Sequence, residues 1–223
     1  MTVNLEQFEE FYLNQKSVSA EDFSTEYFKG EWRQQVMSYD IQTRRDIEGK
    51  NPANIIEFLK PGVAVDIGCG PGALISLLKE NGFDGCHGVD ISEEAKQMAE
   101  PSIRDRIKVA PAWQTGFEDS SFDLVICREV LEHLTVAQIF ATIKEMCRIS
   151  SDKVYVTTRF HPEPESLYDV TTEFEVDPTH ISCMNIEMMR LFFVLNGFKR
   201  DPELEGQIDW MNKGRVLIYR RQF

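Results

Sequence analysis

The sequence predicts an α/β fold in which a mainly parallel sheet carries helices on both faces, the doubly wound arrangement. Two observations support this prediction. From about residue 63 onward, short β-rich apolar runs alternate with segments of helical character. About the first 60 residues contain few strand signals, so they are predicted to form a helical extension that precedes the sheet.

The extension and the start of the sheet domain follow from local signals. Residues 1–50 are predicted to form a helical cover that includes an aromatic cluster of Phe23, Tyr27, Phe28 and Trp32. Asn51-Pro52 is a favourable helix start, because proline at the first helical position needs no N–H partner. Residues 51–223 are therefore predicted to form the main domain.

Strands and helices then alternate along the chain. The predicted strands are 63–67, 86–89, 107–109, 122–127, 153–157 and 215–220. The predicted helices are 73–79, 92–100, 135–148 and 185–196. Ser92 is expected to cap one of these helices, Thr135 and Gln138 form a capping box for the next, and Gly197 ends the last. The acidic stretch 161–179 falls where a substrate loop would lie, outside the carboxyl ends of the strands.

Composition excludes several classes of function. The net charge of −13 disfavours a protein that grips nucleic acid by bulk electrostatics. The apolar runs are too short for a membrane span, and the N-terminal residues lack the pattern of a secretory signal. The five cysteines form no CxxC pair, so neither a disulfide framework nor a zinc ribbon is predicted, and a cytoplasmic location is expected.

A glycine-rich turn follows the first predicted strand. Gly68, Gly70 and Ala73 satisfy the dinucleotide pattern GxGxxG/A, and Asp90 lies at the distance expected of a ribose-binding acid. That spacing alone fits a nicotinamide enzyme. Asp66, however, stands two residues before the first glycine, where a carboxylate would repel a diphosphate. It would attract a ligand that carries an ammonium and a sulfonium and no phosphate, a description that fits S-adenosylmethionine.

Three motifs together resemble those of class I S-adenosylmethionine-dependent methyltransferases. They are VDIGCGPG at residues 65–72, GVDIS at 88–92 and FDLVICREVLEHL at 122–134, in the order and spacing of that family. The resemblance covers about residue 54 to residue 223. It implies a Rossmann-like sheet of seven strands with the last strand antiparallel, and it makes residues 51–223 the methyltransferase domain.

The resemblance also implies a cofactor site. Asp66 and the backbone of the turn would face the methionine end, Asp90 would bind the ribose, and an apolar neighbour and two further residues would contact the adenine. The residues so assigned are Asp66, Gly68, Cys69, Gly70, Gly72, Asp90, Ile91, Ala112, Trp113 and Arg128. Arg128 would bind the cofactor carboxylate or pair with a local acid. Pro111 stands where many members carry an adenine-binding Asp, so stacking by Trp113 is the expected substitute, with a core position as the alternative. Helices often cover the cofactor in this family, which makes Tyr27 and Trp32 candidate lid residues.

A possible metal site follows the fourth predicted strand. Glu129, Glu132 and His133 are spaced i, i+3, i+4, so they are expected on one face of a helical turn. His180 is the predicted fourth ligand and His161 its competitor. The set is similar to that of some metal-dependent O-methyltransferases, which implies Mg²⁺ or another divalent cation. Alternatively His133 only packs or caps the helix; without metal, His133 or a glutamate such as Glu129 would act as the general base.

The acceptor is expected to be a small-molecule or sugar hydroxyl. This rests on a similarity to bacterial methyltransferases associated with glycan biosynthesis, carried by residues 26–28, 89–95 and 177–181. A non-catalytic adaptor or activating subunit that keeps the cofactor fold is the alternative, and RNA 2′-O-methylation is a less favoured one. The intact Asp66, Asp90 and glycines favour an enzyme.

Overall fold

Seven strands form one mixed sheet in the computed structural model, which describes residues 17–30, 38–158, 177, 179–208 and 215–222. Trp32 and His161 lie outside the described residues. The strands are β1 (Ala64–Ile67), β2 (Cys86–Asp90), β3 (Ile107–Val109), β4 (Phe122–Arg128), β5 (Ser150–Thr157), β6 (Phe198–Arg200) and β7 (Val216–Arg221).

The strand order is β3-β2-β1-β4-β5-β7-β6. Strands β1 to β5 run parallel to one another, whereas β7 is antiparallel to both β5 and β6. The predicted doubly wound, Rossmann-like sheet with an antiparallel last strand is therefore confirmed. The chain reverses its path at β1, where β2 and β4 flank it, and a ligand crevice is expected at the carboxyl ends of strands on either side of such a point.

The described helices alternate with the strands after residue 50. They are α1 (Thr25–Lys29), α2 (Ile41–Glu48), α3 (Asn51–Asn54), α4 (Ala73–Glu80), α5 (Glu93–Met98), α6 (Val136–Ile149), α7 (Ile186–Leu195) and α8 (Pro202–Ile208). A π-helical turn, Ile55–Leu59, continues α3. Ser92 and the Thr135–Gln138 capping box begin α5 and α6 as predicted. Among the described residues, no helix has both the length and the hydropathy that a membrane span requires.

The sheet has an apolar core on each face, because its central strands are buried on both sides. In β4, Val125 and Cys127 pack on one face with α6 and α7, whereas Leu124 and Ile126 pack on the other with α4 and α8. Near-continuous apolar runs are what a parallel strand covered on both faces requires. The two layers hold the carboxyl ends of β1, β2 and β4 side by side.

Candidate functional site

Strand β1 ends in the glycine-rich turn. Gly68, Gly70 and Gly72 have φ angles of 70°, 53° and 78°, a region that residues with a Cβ rarely adopt. The N–H groups of Gly68 and Cys69 donate to the carbonyl of Val89, at 2.7 and 3.1 Å, and tie the turn to β2. The Cys69 side chain is buried in the apolar core. The turn therefore presents backbone to a ligand rather than a thiol.

Asp66 lies buried just before this turn. Burial raises the pKa of its carboxyl group to about 7; the positive charge of Arg128 opposes the rise, and the negative charges of Glu48 and Asp90 add to it. A cation beside this carboxyl group would favour its ionised form, whereas a phosphate would be repelled.

Asp90, at the end of β2, is built into the same turn. Its Oδ2 accepts the N–H of Gly70 at 2.8 Å and its Oδ1 accepts the N–H of Ser92 at 2.9 Å. Burial raises the pKa of Asp90, and these backbone hydrogen bonds oppose the rise. Each carboxylate oxygen can accept a second hydrogen bond, so two neighbouring hydroxyls could bind here. Ser92 in turn donates from Oγ to the carbonyl of Phe23 at 2.8 Å and so joins the N-terminal cover to the site.

The residues assigned to the adenine lie beside the end of β2. Ala110 donates its N–H to the carbonyl of Asp90 at 2.9 Å, and the next residues turn, with the N–H of Gln114 bonded to the carbonyl of Pro111 at 3.0 Å. Ala112 packs partly against the core, and Trp113 is half-buried. Ile91 is also half-buried. The assignment of Ile91, Ala112 and Trp113 to adenine stays a prediction.

Arg128 pairs with an acid, which was one of its two predicted roles. Its guanidinium forms two hydrogen bonds with the carboxylate of Glu48, one of them 2.8 Å long. Glu48 also accepts from Arg44 at 3.1 Å and from the amide of Asn51 at 2.7 Å. No sequence signal points to Glu48, because it is 80 residues from Arg128 and only the fold joins them.

The structure confirms only part of the predicted arrangement of metal ligands after β4. Glu129 adopts a left-handed φ of 53° and is exposed, and the helical turn that follows is a short 3₁₀ segment, Leu131–His133. The prediction that Glu129 shares a helical face with Glu132 and His133 is therefore wrong, because the helix begins after Glu129 and is not α-helical. A role for Glu129 as a base stays a prediction.

Glu132, His133 and His180 do come together. Within the part of the chain that the structure describes, they form the one group of His, Cys, Asp and Glu residues that could hold a metal ion. One potential ligand atom from each lies within 4.8 Å of the others. Glu132 also fixes the segment that carries His180, since its carbonyl accepts the N–H groups of Ile181 and Ser182 at 2.9 and 3.1 Å.

His133 is enclosed by the cover and by that same segment. Its ring lies 5.4 Å from the Phe23 ring and 4.7 Å from the His180 ring, both edge-on. Burial, together with the positive charge that the neighbouring His180 can carry, lowers the pKa of His133 to about 4. The imidazole is therefore neutral near pH 7. Its Nδ1 lies 2.8 Å from the hydroxyl of Thr179, a residue that the sequence interpretation did not assign to the site.

The described part of the N-terminal cover contacts the glycine turn directly. A Cβ built on Gly70 would lie 3.2 Å from the Phe28 ring and 3.8 Å from the Tyr39 ring. Thr25 bonds the carboxylate of Glu94 on α5 through its N–H, at 2.6 Å, and its hydroxyl, at 2.8 Å. These contacts are those expected of a cover, although the boundary at residue 50 stays a prediction, as does the lid role of Tyr27 and Trp32.

Comparison with known proteins finds a matching family and two curated relatives. Residues 65–156 match the family described as "Methyltransferase domain". A norajmaline N-methyltransferase of Rauvolfia serpentina is 29% identical over 122 residues, which are 48% of this chain and 41% of that protein. A ubiquinone biosynthesis O-methyltransferase of Methylococcus capsulatus is 39% identical over 77 residues, 32% of each protein. The chain thus spans about two fifths or less of the length of these curated relatives.

Solved structures share the fold over a longer stretch. The magnesium protoporphyrin IX methyltransferase of Synechocystis PCC 6803, solved with bound SAH, superposes with a TM-score of 0.61 at 19% identity. The match covers 91% of this chain and 97% of that one. The chain therefore shares its fold with this methyltransferase, and residues 65–156 resemble the methyltransferase domain family.

Proposed function

We propose that the chain is an S-adenosylmethionine-dependent methyltransferase that acts on a hydroxyl group of a small molecule or sugar. The observation that carries the proposal is the pair of buried carboxyl groups, Asp66 and Asp90, at adjacent strand ends around one glycine turn. The methyltransferase domain match over residues 65–156 supports the same assignment.

The donor set of this turn fits S-adenosylmethionine better than a dinucleotide. Asp66 stands where the cationic end of the ligand would lie, and Asp90 has acceptor capacity for the two ribose hydroxyls. The turn itself bonds Asp90 through the N–H of Gly70, so that donor is already used and would not bind a phosphate. When bound, the cofactor supplies an electrophilic methyl group on sulfur.

The residues of this chain would then supply position and a proton acceptor. Methyl transfer is an in-line displacement, so holding the acceptor oxygen in line with the sulfur–methyl bond supplies much of the rate. As the oxygen–carbon bond forms, the hydroxyl proton must leave, and the neutral His133 can accept it. The curated relatives include both an N- and an O-methyltransferase, so the choice of a hydroxyl rests on His133 and on the motif resemblance.

Calorimetry with S-adenosylmethionine and with NAD tests the cofactor. We expect binding of the first and none of the second; stronger binding of NAD would refute the proposal. Transfer of a labelled methyl group to matched hydroxyl and amine acceptors tests the reaction. Cofactor binding without transfer to any acceptor would instead support the adaptor alternative.

A metal-assisted form of this reaction is favoured by the group of Glu132, His133 and His180. Two imidazoles and one carboxylate suit a first-row cation such as Mn²⁺ or Zn²⁺ better than Mg²⁺, which prefers oxygen ligands. Such a cation would lower the pKa of the acceptor hydroxyl; His133 would then hold the cation, and the hydroxyl proton would pass to solvent water.

Elemental analysis after loading with Mn²⁺, Zn²⁺ or Mg²⁺ tests this form. We expect about one bound ion, lost in His180→Gln and kept in His87→Gln, whose histidine is exposed and outside the group. Unchanged activity in EDTA, with no ion bound, would remove the metal from the proposal.

A further inference from the structure

Two residues beside His133, Asp177 and Thr179, have no part in the proposed reaction so far. Both Thr179 groups that can donate point to one carboxylate oxygen: its N–H lies 3.0 Å and its hydroxyl 2.6 Å from Oδ1 of Asp177. A threonine hydroxyl has a single proton. Because a charged carboxylate is the strongest acceptor within reach, that proton belongs to the bond with Asp177.

This arrangement leaves Thr179 only acceptors to offer to His133. Nδ1 of His133 lies 2.8 Å from Oγ1 of Thr179 and 3.3 Å from its carbonyl oxygen. The carbonyl cannot donate, and the hydroxyl proton is already committed. Nδ1 must therefore be the donor, since two facing lone pairs would repel each other. The Tyr27 phenol also hydrogen-bonds Thr179, but a neutral phenol is a weaker acceptor than the carboxylate.

We propose that Asp177 and Thr179 are positioning residues that hold His133 as its Nδ1–H tautomer, so that Nε2 carries the lone pair directed to the acceptor. The direction of the hydrogen bonds, from His133 to Thr179 to Asp177, determines which ring nitrogen can accept a proton or bind a cation. The tautomer assignment stands on the geometry alone. Its use on an acceptor hydroxyl rests on the proposed function.

The backbone makes the arrangement stable without the threonine hydroxyl. The segment that carries Thr179 is held by the hydrogen bonds of Ile181 and Ser182 to the carbonyl of Glu132, and neither uses a side chain. His133 also keeps its ring contact with Phe23. Replacing Thr179 should therefore alter the imidazole tautomer more than it alters the fold.

Nitrogen-15 NMR of the full chain, labelled at its four histidines, tests the assignment. The His133 signals are identified by their loss in His133→Gln. Near pH 7 we expect the shifts and couplings of a protonated Nδ1 and a bare Nε2. A protonated Nε2 in the unsubstituted chain would overturn the proposal, so it remains testable whatever the variants do.

Two variants of Thr179 isolate the hydroxyl. Thr179→Val keeps shape but leaves only the 3.3 Å carbonyl contact, so the Nδ1–H share should fall and the shifts should move toward the other tautomer. Thr179→Ser restores the hydroxyl and should restore the original pattern. Unchanged His133 shifts in folded Thr179→Val would show that the Thr179 hydroxyl does not direct the proton.

Kinetics separate this inference from the proposed function. Thr179→Val should lower kcat about tenfold or more and leave S-adenosylmethionine affinity unchanged, and Thr179→Ser should recover the rate. An Nδ1–H tautomer without methyl transfer to any hydroxyl would refute the function and leave the tautomer assignment standing. An equal loss of kcat in Thr179→Ser and Thr179→Val would contradict the positioning role.

Discussion

Arg128, the last residue of β4, forms a two-pronged ion pair with Glu48, the last residue of α2. The Glu48 side chain is 2% exposed and that of Arg128 is 12% exposed. Burial by itself would raise the pKa of Glu48, but the charge and hydrogen bonds of Arg128 outweigh it and lower that pKa to about 2. The pair joins α2 to the end of β4, and both of its charges act on the nearby carboxyl group of Asp66.

Removing the negative partner should destabilise the fold strongly. Glu48→Gln leaves a buried guanidinium without its counter-charge, and we expect the free energy of unfolding to fall by about 3–5 kcal/mol. Chemical denaturation measures it. The control is Glu80→Gln on α4, which breaks the half-exposed pair with Arg45, a residue of the same helix as Glu48, and should cost less than about 1 kcal/mol. Equal losses in the two variants would contradict a buried pair.

The same pair predicts how stability changes in acid. Because the folded pKa of Glu48 lies below its ordinary value of 4.5, its contribution is present above about pH 4.5 and is lost as the pH falls toward 2. Denaturation curves between pH 6 and pH 3 should therefore converge for the unsubstituted chain and Glu48→Gln. A constant difference between them would show that Glu48 titrates normally.

Cofactor affinity should depend on the ionisation of Asp66. Its pKa of about 7 means that the carboxylate, which attracts the cationic ligand, forms mainly above that pH. From pH 6 to pH 8, S-adenosylmethionine affinity should rise about tenfold more in the unsubstituted chain than in Asp66→Asn. Calorimetry measures both, and the variant corrects for titration of the ligand. If affinity changes with pH in the same way in the unsubstituted chain and in Asp66→Asn, the cationic end of S-adenosylmethionine does not bind beside Asp66.

Without ligand, Asp66 has the opposite effect on folding. Its folded pKa lies above the ordinary value of 3.8, so its contribution to stability is full below that pH and is lost as the pH rises through about 7. Asp66→Asn should remove this decline in apo denaturation curves. A persistent decline in the variant would assign it to another group.

Asp90→Ala should weaken S-adenosylmethionine binding at least tenfold. The change removes a charged acceptor for two ribose hydroxyls, each worth about 1.5–3 kcal/mol before water compensates. It also frees the N–H of Gly70, so the melting temperature is measured alongside affinity. Glu93→Ala, an exposed acid on α5, is the charge-matched control and should bind normally. Normal binding by Asp90→Ala would place the ribose elsewhere.

Gly68→Ala should abolish cofactor binding and destabilise the turn. The residue has a φ of 70°, and a Cβ there would lie 2.3 Å from Cγ2 of Val130. Gly82→Ala is the matched control, because Gly82 has a φ of 91° with nothing within 4 Å of the added atom. The control should lose about 1 kcal/mol of stability and no affinity. Equal losses of stability and affinity in Gly68→Ala and Gly82→Ala would mean that the effect at Gly68 comes from backbone strain and not from the contact with Val130.

Local sequence signals predicted most of the sheet domain, but two short elements were missed. The signals of β1 and β4 are short β-rich runs that are mostly apolar, and those of α5 and α6 are capping side chains. The missed elements, β6 (Phe198–Arg200) and α8 (Pro202–Ile208), follow Gly197. The strand has three residues and exists because it pairs with β7, which only the assembled sheet provides.

The candidate site also contains residues that the sequence predicted and residues that it did not. Asp66, the glycines and Asp90 could be read directly, because a strand, a turn and a strand place them by local geometry at one sheet edge. Asp177 and Thr179 belong to the sequence Asp-Pro-Thr-His at residues 177–180, but no local sequence signal indicates that they lie beside His133. The i, i+3, i+4 rule failed at Glu129, because a left-handed residue broke the helix on which it depends.

The sequence by itself therefore determined the fold class, the glycine turn and the acids around it, since apolar periodicity and backbone restrictions act over a few residues. Only the tertiary structure decided that Glu48 pairs with Arg128, that Glu132 and His133 meet His180, and that the Thr179 hydroxyl lies within hydrogen-bond distance of Nδ1 of His133. Glu48 and Arg128 are 80 residues apart in the sequence, and His133 and Thr179 are 46 residues apart. Burial strengthens each of these contacts. The contacts and their burial both depend on how the helices pack against the sheet.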